Sequence, residues 1–229
     1  MDGKEQHAGT QIVAIDGPAG AGKSSISRRV ARELGFAFLD TGAMYRAATW
    51  RALHHNIQLD DADALAASTR DMELELREEP DGLRVFVDGQ EVSREIRTRE
   101  VTRHICFLDQ IPAVRQRLVE LQRAAGCGRP TVAEGRDIGT VVFPEARCKI
   151  YLDASLECRA ERRAAELEAD GKQVDRAEVL REIAERDAAN MNRTVSPLRR
   201  AEDALYVDTT EMTPDQVVAR LVQAARERL

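Results

Sequence analysis

A glycine-rich turn wedged between a buried strand and a helix constrains this chain more than any other feature. The run Ile12-Val13-Ala14-Ile15-Asp16 is short, apolar and rich in β-branched residues, as a strand covered on both faces requires. Gly17-Pro18-Ala19-Gly20-Ala21-Gly22-Lys23-Ser24-Ser25 follows and fits G-x-x-x-x-G-K-[ST]. Ile26, Val30, Ala31 and Leu34 then recur at helical spacing. Glycines in such a turn let successive N–H groups face inward as an anion nest, and the positive end of the helix adds to it. The stretch from Gly17 to Ser25 is therefore expected to hold the phosphates of a nucleoside triphosphate. Lys23 supplies a point charge for the β- and γ-phosphates, and the Ser24 hydroxyl a ligand for Mg2+.

The rest of the chain continues the strand–helix alternation. Phe36 to Asp40 reads as a second strand, broken by Thr41-Gly42, and Ala43 to His55 as a helix. A weak helix around Ala62 to Ala67 follows. Met72 to Arg77 then alternates apolar and polar residues, Pro80-Asp81-Gly82 marks a turn, Leu83 to Val87 reads as a strand and Asp88-Gly89 as another turn. This antiparallel meander is out of character with its surroundings and marks an insertion. A helical stretch from Glu100 to Ala125, broken at Pro112, leads back. Strands are expected at Thr131 to Ala133, Cys148 to Leu152 and Leu205 to Val207. Helices are expected at Leu156 to Ala169, capped by Ser155, at Asp175 to Asn190, and after Thr213-Pro214. The fold class is thus α/β, with five parallel strands flanked by helices and a small antiparallel insert. Residues 11–68 and 128–229 form the core, 69–127 the insert, 168–174 a short lid and 1–10 a disordered tail.

Composition narrows the partners. The 229 residues carry 34 Lys+Arg against 40 Asp+Glu, a net charge of −6, which argues against sequence-independent nucleic-acid binding. Cys106, Cys127, Cys148 and Cys158 show no C-x-x-C or zinc spacing and read as reduced thiols. No run approaches the ~18 apolar residues of a membrane span, and the first ten residues lack an apolar signal core. A soluble cytoplasmic protein is expected.

Ligands of open parallel sheets lie beyond the carboxyl ends of the strands, so the residues that follow each strand carry the chemistry. Beyond the glycine-rich turn these are Asp40, Thr41, Tyr45 and Arg46, then Glu134, Arg136 and Asp137, then Arg159, Arg162 and Arg163. Arg186 and Asn190, four apart, share a face of the next helix, and Arg193 follows. Lysine is scarce, and arginine grips phosphate oxygens with a planar, permanently charged fork. Phosphoryl transfer needs alignment and charge neutralisation more than covalent chemistry, which suits such a ring of cations.

Four stretches resemble bacterial cytidylate kinases, within the P-loop nucleoside monophosphate kinases: Gly17 to Ser25, Leu39-Asp40-Thr41-Gly42-Ala43-Met44-Tyr45-Arg46, Glu134-Gly135-Arg136-Asp137-Ile138-Gly139-Thr140-Val141-Val142-Phe143-Pro144, and Arg186-Asp187 through Asn192-Arg193. The resemblance spans nearly the whole chain. It implies ATP-dependent phosphorylation of CMP and dCMP with Mg2+, strand order 2-3-1-4-5, and a monomer. It also implies that the insert binds the monophosphate. Lys23, Arg136, Arg186 and Arg193 would serve the transfer. Arg162 would join the glycine-rich loop in holding ATP. Thr41, Tyr45, Arg46, Cys106, Arg115, Arg136, Asp137, Arg186, Asn190 and Arg193 would form the CMP pocket, with Arg115 and Asp137 at the cytosine ring. Asn190 stands where the family usually has an aspartate for the ribose hydroxyls, and Cys106 where it has a serine near the base. Two other functions remain open: a related kinase with a UMP or AMP acceptor, and a nucleotide-binding switch without turnover. A guanine-nucleotide switch would carry N-K-x-D and D-x-x-G, and the chain contains neither.

Overall fold

The computed structural model describes residues 11–79, 82–169 and 171–229. The expected tail at 1–10, the Pro80-Asp81 part of the expected turn, and Asp170 of the expected lid lie outside the described residues. Five parallel strands form the central sheet: β1 (Ile12–Asp16), β2 (Ala37–Asp40), β6 (Thr131–Gly135), β7 (Cys148–Asp153) and β8 (Leu205–Asp208), in spatial order β2-β6-β1-β7-β8. Counting only these five, the order is 2-3-1-4-5. A second sheet is antiparallel: β3 (Leu74–Glu79), β4 (Gly82–Val87) and β5 (Gln90–Glu91), with Leu76 opposite Val85 and Val87 opposite Gln90.

Period-two alternation assigns each strand residue to one of two cores. Val13, Ile15, Val132, Ile150 and Leu152 face α1 (Lys23–Leu34) and α8 (Pro214–Arg228), meeting Val30, Val218 and Leu221. Ala14, Leu39 and Ala133 face the other way, toward α2 (Thr41–His54) and α5 (Pro112–Gly126). That second core continues through Met44, Leu65 of α3 (Ala62–Arg70), Val85 and Val87 of β4, and Leu108 of α4 (Arg99–Leu108). The small sheet therefore buries its apolar face in a core continuous with the main sheet. A third cluster, Ala160, Leu167, Val179 and Ile183, joins α6 (Leu156–Ala169) to α7 (Arg176–Met191) and takes in Ala19.

Local chemistry sets the element ends. Asp175 caps α7 by accepting from Ala177 N and Glu178 N, and Thr213 with Gln216 forms a reciprocal capping box on α8. Pro112 opens α5, as expected of a proline in a first turn. The second strand ends before Thr41-Gly42 as expected, but the helix begins two residues earlier than the expected Ala43. Asp40 Oδ1 accepts from Ala43 N at 2.7 Å, so the last residue of β2 caps α2 and the helix starts at once, at Thr41. A short 3-10 turn at Glu95–Arg97 and a wide π-type turn at Ile138–Val142 were not expected from sequence.

Candidate active site

The carboxyl ends of β1, β2 and β6 lie side by side, with Asp40 in register with Glu134 and Asp16 with Gly135. The loop after β1 turns sharply over β7. Gly17 has φ 155°, and a Cβ there would lie 2.0 Å from the Leu152 carbonyl oxygen, so only glycine fits. Asp16 is buried, and its carboxylate accepts from Ile138 N at 2.7 Å and Gly139 N at 2.8 Å. Burial still pushes its carboxyl up to about 6. These two bonds tie the π-type turn to the root of the glycine-rich loop.

Two cations rest on that loop. Lys23, 6% exposed, donates from Nζ to the Pro18 carbonyl at 2.7 Å. Arg136 donates from Nη1 to the Gly17 carbonyl at 2.8 Å. Burial and the Arg136 charge, with Arg186 adding to them, draw the Lys23 ammonium down to about 7. The side chain of Arg186, on α7, makes no hydrogen bond or ion pair among the described residues. Burial and the charges of Arg136, Arg46 and Arg163 draw it down to about 10. Mutually repelling cations that converge on one loop, with one guanidinium left unpaired, constitute an anion site. Ser24 and Ser25 stand at the start of α1; Ser25 donates to the Gly22 carbonyl at 3.0 Å.

Carboxylates line the floor of this site. Burial would raise Asp40, yet Arg46, at 3.1 Å, and the Ala43 N–H hold it below its ordinary value. Glu134 beside it is pushed up to about 7 by burial and by the Asp40 charge. Thr41 is fixed by donation from Oγ1 to the Glu134 carbonyl at 2.7 Å.

A second group lies against the first. Arg115 of α5 is ion-paired with Asp137, both buried, and its guanidinium carbon lies 5.4 Å from the centroid of the Tyr45 ring. Burial raises the Tyr45 hydroxyl, which has no hydrogen-bond partner. Arg193 donates to Asp109 at 3.0 Å and to the Ser196 carbonyl at 2.8 Å. The Nε atoms of Arg46, Arg115 and Arg193 are all buried without a partner. Unsatisfied donors in such number mark a place where a polar ligand completes the bonding. Cys106, half-buried on α4, donates from Sγ to the Arg103 carbonyl, and Asn190 donates from Nδ2 to the Arg186 carbonyl at 2.7 Å.

The structure thus gathers Lys23 and Arg136 at the loop, with Arg186 near them and Arg46 near Arg186, and Tyr45, Arg115, Asp137 and Arg193 alongside. Arg162 stands apart: it donates to Thr209 Oγ1 at 3.0 Å and to the Thr209 carbonyl at 2.7 Å. Its neighbour Arg159 is the residue of α6 that reaches the loop, donating to the Ala19 carbonyl at 2.8 Å. Asp16 and Asp109 are structural members of the site to which the sequence assigned no role, and Arg159 and Asp187, which it named, hold the loop rather than face its phosphate side. No cluster of three or more His, Cys, Asp or Glu able to hold a metal occurs among the described residues. A divalent ion here would draw its ligands from the Ser24 hydroxyl, phosphate oxygens and water, the ligand set Mg2+ prefers.

The family model for cytidylate kinase matches residues 13–227. A cytidylate kinase of Caldanaerobacter subterraneus is 46% identical over 218 residues, covering 95% of this chain and 96% of that one. A cytidylate kinase of Rhodococcus opacus is 48% identical over 219 residues, covering 95% of each. Among solved structures, a Thermus thermophilus protein shares the fold with a TM-score of 0.50 at 19% identity, covering 96% of this chain and 98% of that one. From the glycine-rich loop to the last helix, this chain belongs to the cytidylate kinase family.

Proposed function

We propose that the protein transfers the γ-phosphoryl group of ATP to CMP and dCMP, giving CDP and dCDP. The observation that carries this is the convergence of Lys23 and Arg136 at the glycine-rich loop, with unpartnered Arg186 near them and Arg46 near Arg186, next to the buried Arg115–Asp137 pair. A phosphate oxygen of CMP attacks the γ-phosphorus in line, and the bond to the β-phosphate oxygen of ADP breaks. The attacking group needs no strong base, because a phosphate monoester loses its second proton at about pH 6. What the reaction needs is relief of repulsion between two polyanions.

On the donor side we place Gly17, Pro18, Ala19, Gly20, Ala21, Gly22, Lys23, Ser24 and Ser25, with Arg162 at the edge. Mg2+, held by the Ser24 hydroxyl and phosphate oxygens, would supply further charge neutralisation. On the acceptor side Arg46, Arg136, Arg186 and Arg193 hold the phosphate, with Thr41, Tyr45, Cys106 and Asn190 lining the nucleoside. Asp137 accepts from the exocyclic amine of cytosine. Uracil presents an oxygen there, so two acceptors would face each other. Residues 69–127 form the acceptor-binding unit, 11–68 and 128–229 the core, and 168–174 a lid that excludes water. No described helix is long and apolar enough to cross a membrane. A cytoplasmic monomer acting on free nucleotides completes the proposal.

The test is ADP release with CMP, dCMP, UMP or AMP as acceptor at equal concentration. CMP and dCMP are expected to exceed UMP and AMP in kcat/KM by about a hundredfold or more. A preference for UMP or AMP would overturn the acceptor assignment, and ADP release independent of any acceptor would replace transfer with hydrolysis.

A further inference from the structure

One residue of the glycine-rich loop, Ala19, is held from outside through both of its backbone polar groups. The Ala19 N–H donates to Asp187 Oδ1 at 2.9 Å, and the Ala19 carbonyl accepts from Arg159 Nη1 at 2.8 Å. Asp187 and Arg159 are themselves ion-paired, 6% and 7% exposed. Arg159 is further fixed by donation from Nε to the Ala154 carbonyl at 3.0 Å. Ala19 packs among Ala160, Val179 and Ile183 of the helices that carry the pair. The next residue seals the contact, since a Cβ at Gly20 would lie 3.1 Å from both the Arg159 Cβ and its carbonyl oxygen.

We infer that Asp187 and Arg159 are positioning residues for the donor phosphates: Asp187 holds the Pro18–Ala19 peptide group by its N–H and Arg159 the Ala19–Gly20 peptide group by its carbonyl, and together they set the aim of the N–H groups that follow. Three physical points support this. The Ala19 N–H is committed to Asp187, so the phosphate cradle is built from its neighbours, and the Gly20 N–H shares its peptide group with the carbonyl that Arg159 holds. A buried ion pair contributes little stability compared with apolar residues of the same volume, so orientation is its distinctive effect here. Asp187 also directly follows Arg186, so one turn of α7 carries both the loop clamp and the unpartnered guanidinium. Displacement of the loop by about 1 Å would misalign the transferred group, and errors of that size reduce rates on the order of a hundredfold. The inference relies on the proposed kinase function only for the identity of the donor.

The experiment compares the full-length wild-type protein with Asp187→Ala, Asp187→Asn and the double variant Arg159→Met/Asp187→Leu. Equilibrium Kd values for ATP alone and CMP alone, steady-state kcat and KM, and thermal unfolding are measured for each. Asp187→Ala is expected to raise the Kd and KM for ATP about tenfold and lower kcat by a similar factor, leaving the CMP Kd within about twofold. Asp187→Asn keeps an oxygen acceptor for the Ala19 N–H and is expected to recover most of the ATP affinity. The double variant removes both charges together, so it is expected to fold and still show the ATP loss. Unchanged ATP affinity in the folded double variant overturns the inference. So does equal weakening of ATP and CMP, or a fall in kcat with neither KM moved. Failure of wild type to phosphorylate CMP would overturn the acceptor assignment alone, because the ATP Kd comparison still decides the role of the pair.

Discussion

Burial, with the guanidiniums of Arg136 and Arg186, draws the Lys23 ammonium from its ordinary 10.5 down to about 7. The folded chain therefore sheds a proton that the unfolded chain keeps between about 7 and 10.5. The resulting loss of stability is fully present below pH 7 and fades as pH rises toward 10.5. Asp16 and Glu134 act in the opposite sense. Their folded values of about 6 and about 7 exceed the ordinary 3.8 and 4.5, so stability falls as pH rises through that range. Near pH 7 all three groups disfavour the ligand-free fold, and an arriving polyphosphate restores the Lys23 proton. Lys23→Met is thus expected to abolish turnover while raising the ligand-free melting temperature at pH 7 by a few degrees, with the gain smaller at pH 9. Melting curves at the two pH values check this, and a lower melting temperature at pH 7 would contradict it. Lys23 and Arg136 were legible in the sequence because one completes a phosphate motif and the other follows a strand. The role of Asp16 was not, since its partners Ile138 and Gly139 lie 122 and 123 residues away.

At the scale of elements, α7 carries charge along two faces with unequal consequences. Glu178 and Glu182 meet Arg99 and Arg103 of α4, with Glu182 accepting from them at 2.9 Å and 3.0 Å. All four side chains are 38–60% exposed, so solvent screens the cluster. Glu182→Ala is expected to lower unfolding stability by less than about 1 kcal/mol. Asp187→Ala, on the buried face, is expected to lower it by roughly 3–5 kcal/mol because Arg159 is left uncompensated. Urea unfolding of the two variants side by side checks the ranking; equal losses would contradict it. Most elements were readable from apolar periodicity and from local signals such as Pro112, Asp175 and Thr213-Pro214. The immediate start of α2 depended on the strand-end residue Asp40 turning back as a cap, which periodicity does not encode. The π-type turn depends on the distant Asp16 and has no local signal.

Over the whole molecule, the guanidinium of Arg186 gathers charges from widely separated parts of the chain. Arg46 comes from α2, Asp109 from the end of α4, Arg136 from beyond β6 and Arg163 from α6. The sequence suggested this ring through the recurrence of arginine after strands, and the resemblance supplied the strand order, which periodicity could not. Less legible was the division of labour among neighbours, with Arg162 bound to Thr209 and Arg159 bound to the loop. Nor did the sequence reveal that the antiparallel insert shares one core with the main sheet. The central claim is that converging cations bring two negatively charged nucleotides together. Its most direct test is the turnover of Arg186→Ala at saturating ATP and CMP. The account predicts a fall of about 10²–10³ in kcat with ATP affinity nearly unchanged. A rate within about threefold of wild type in a folded variant would contradict it.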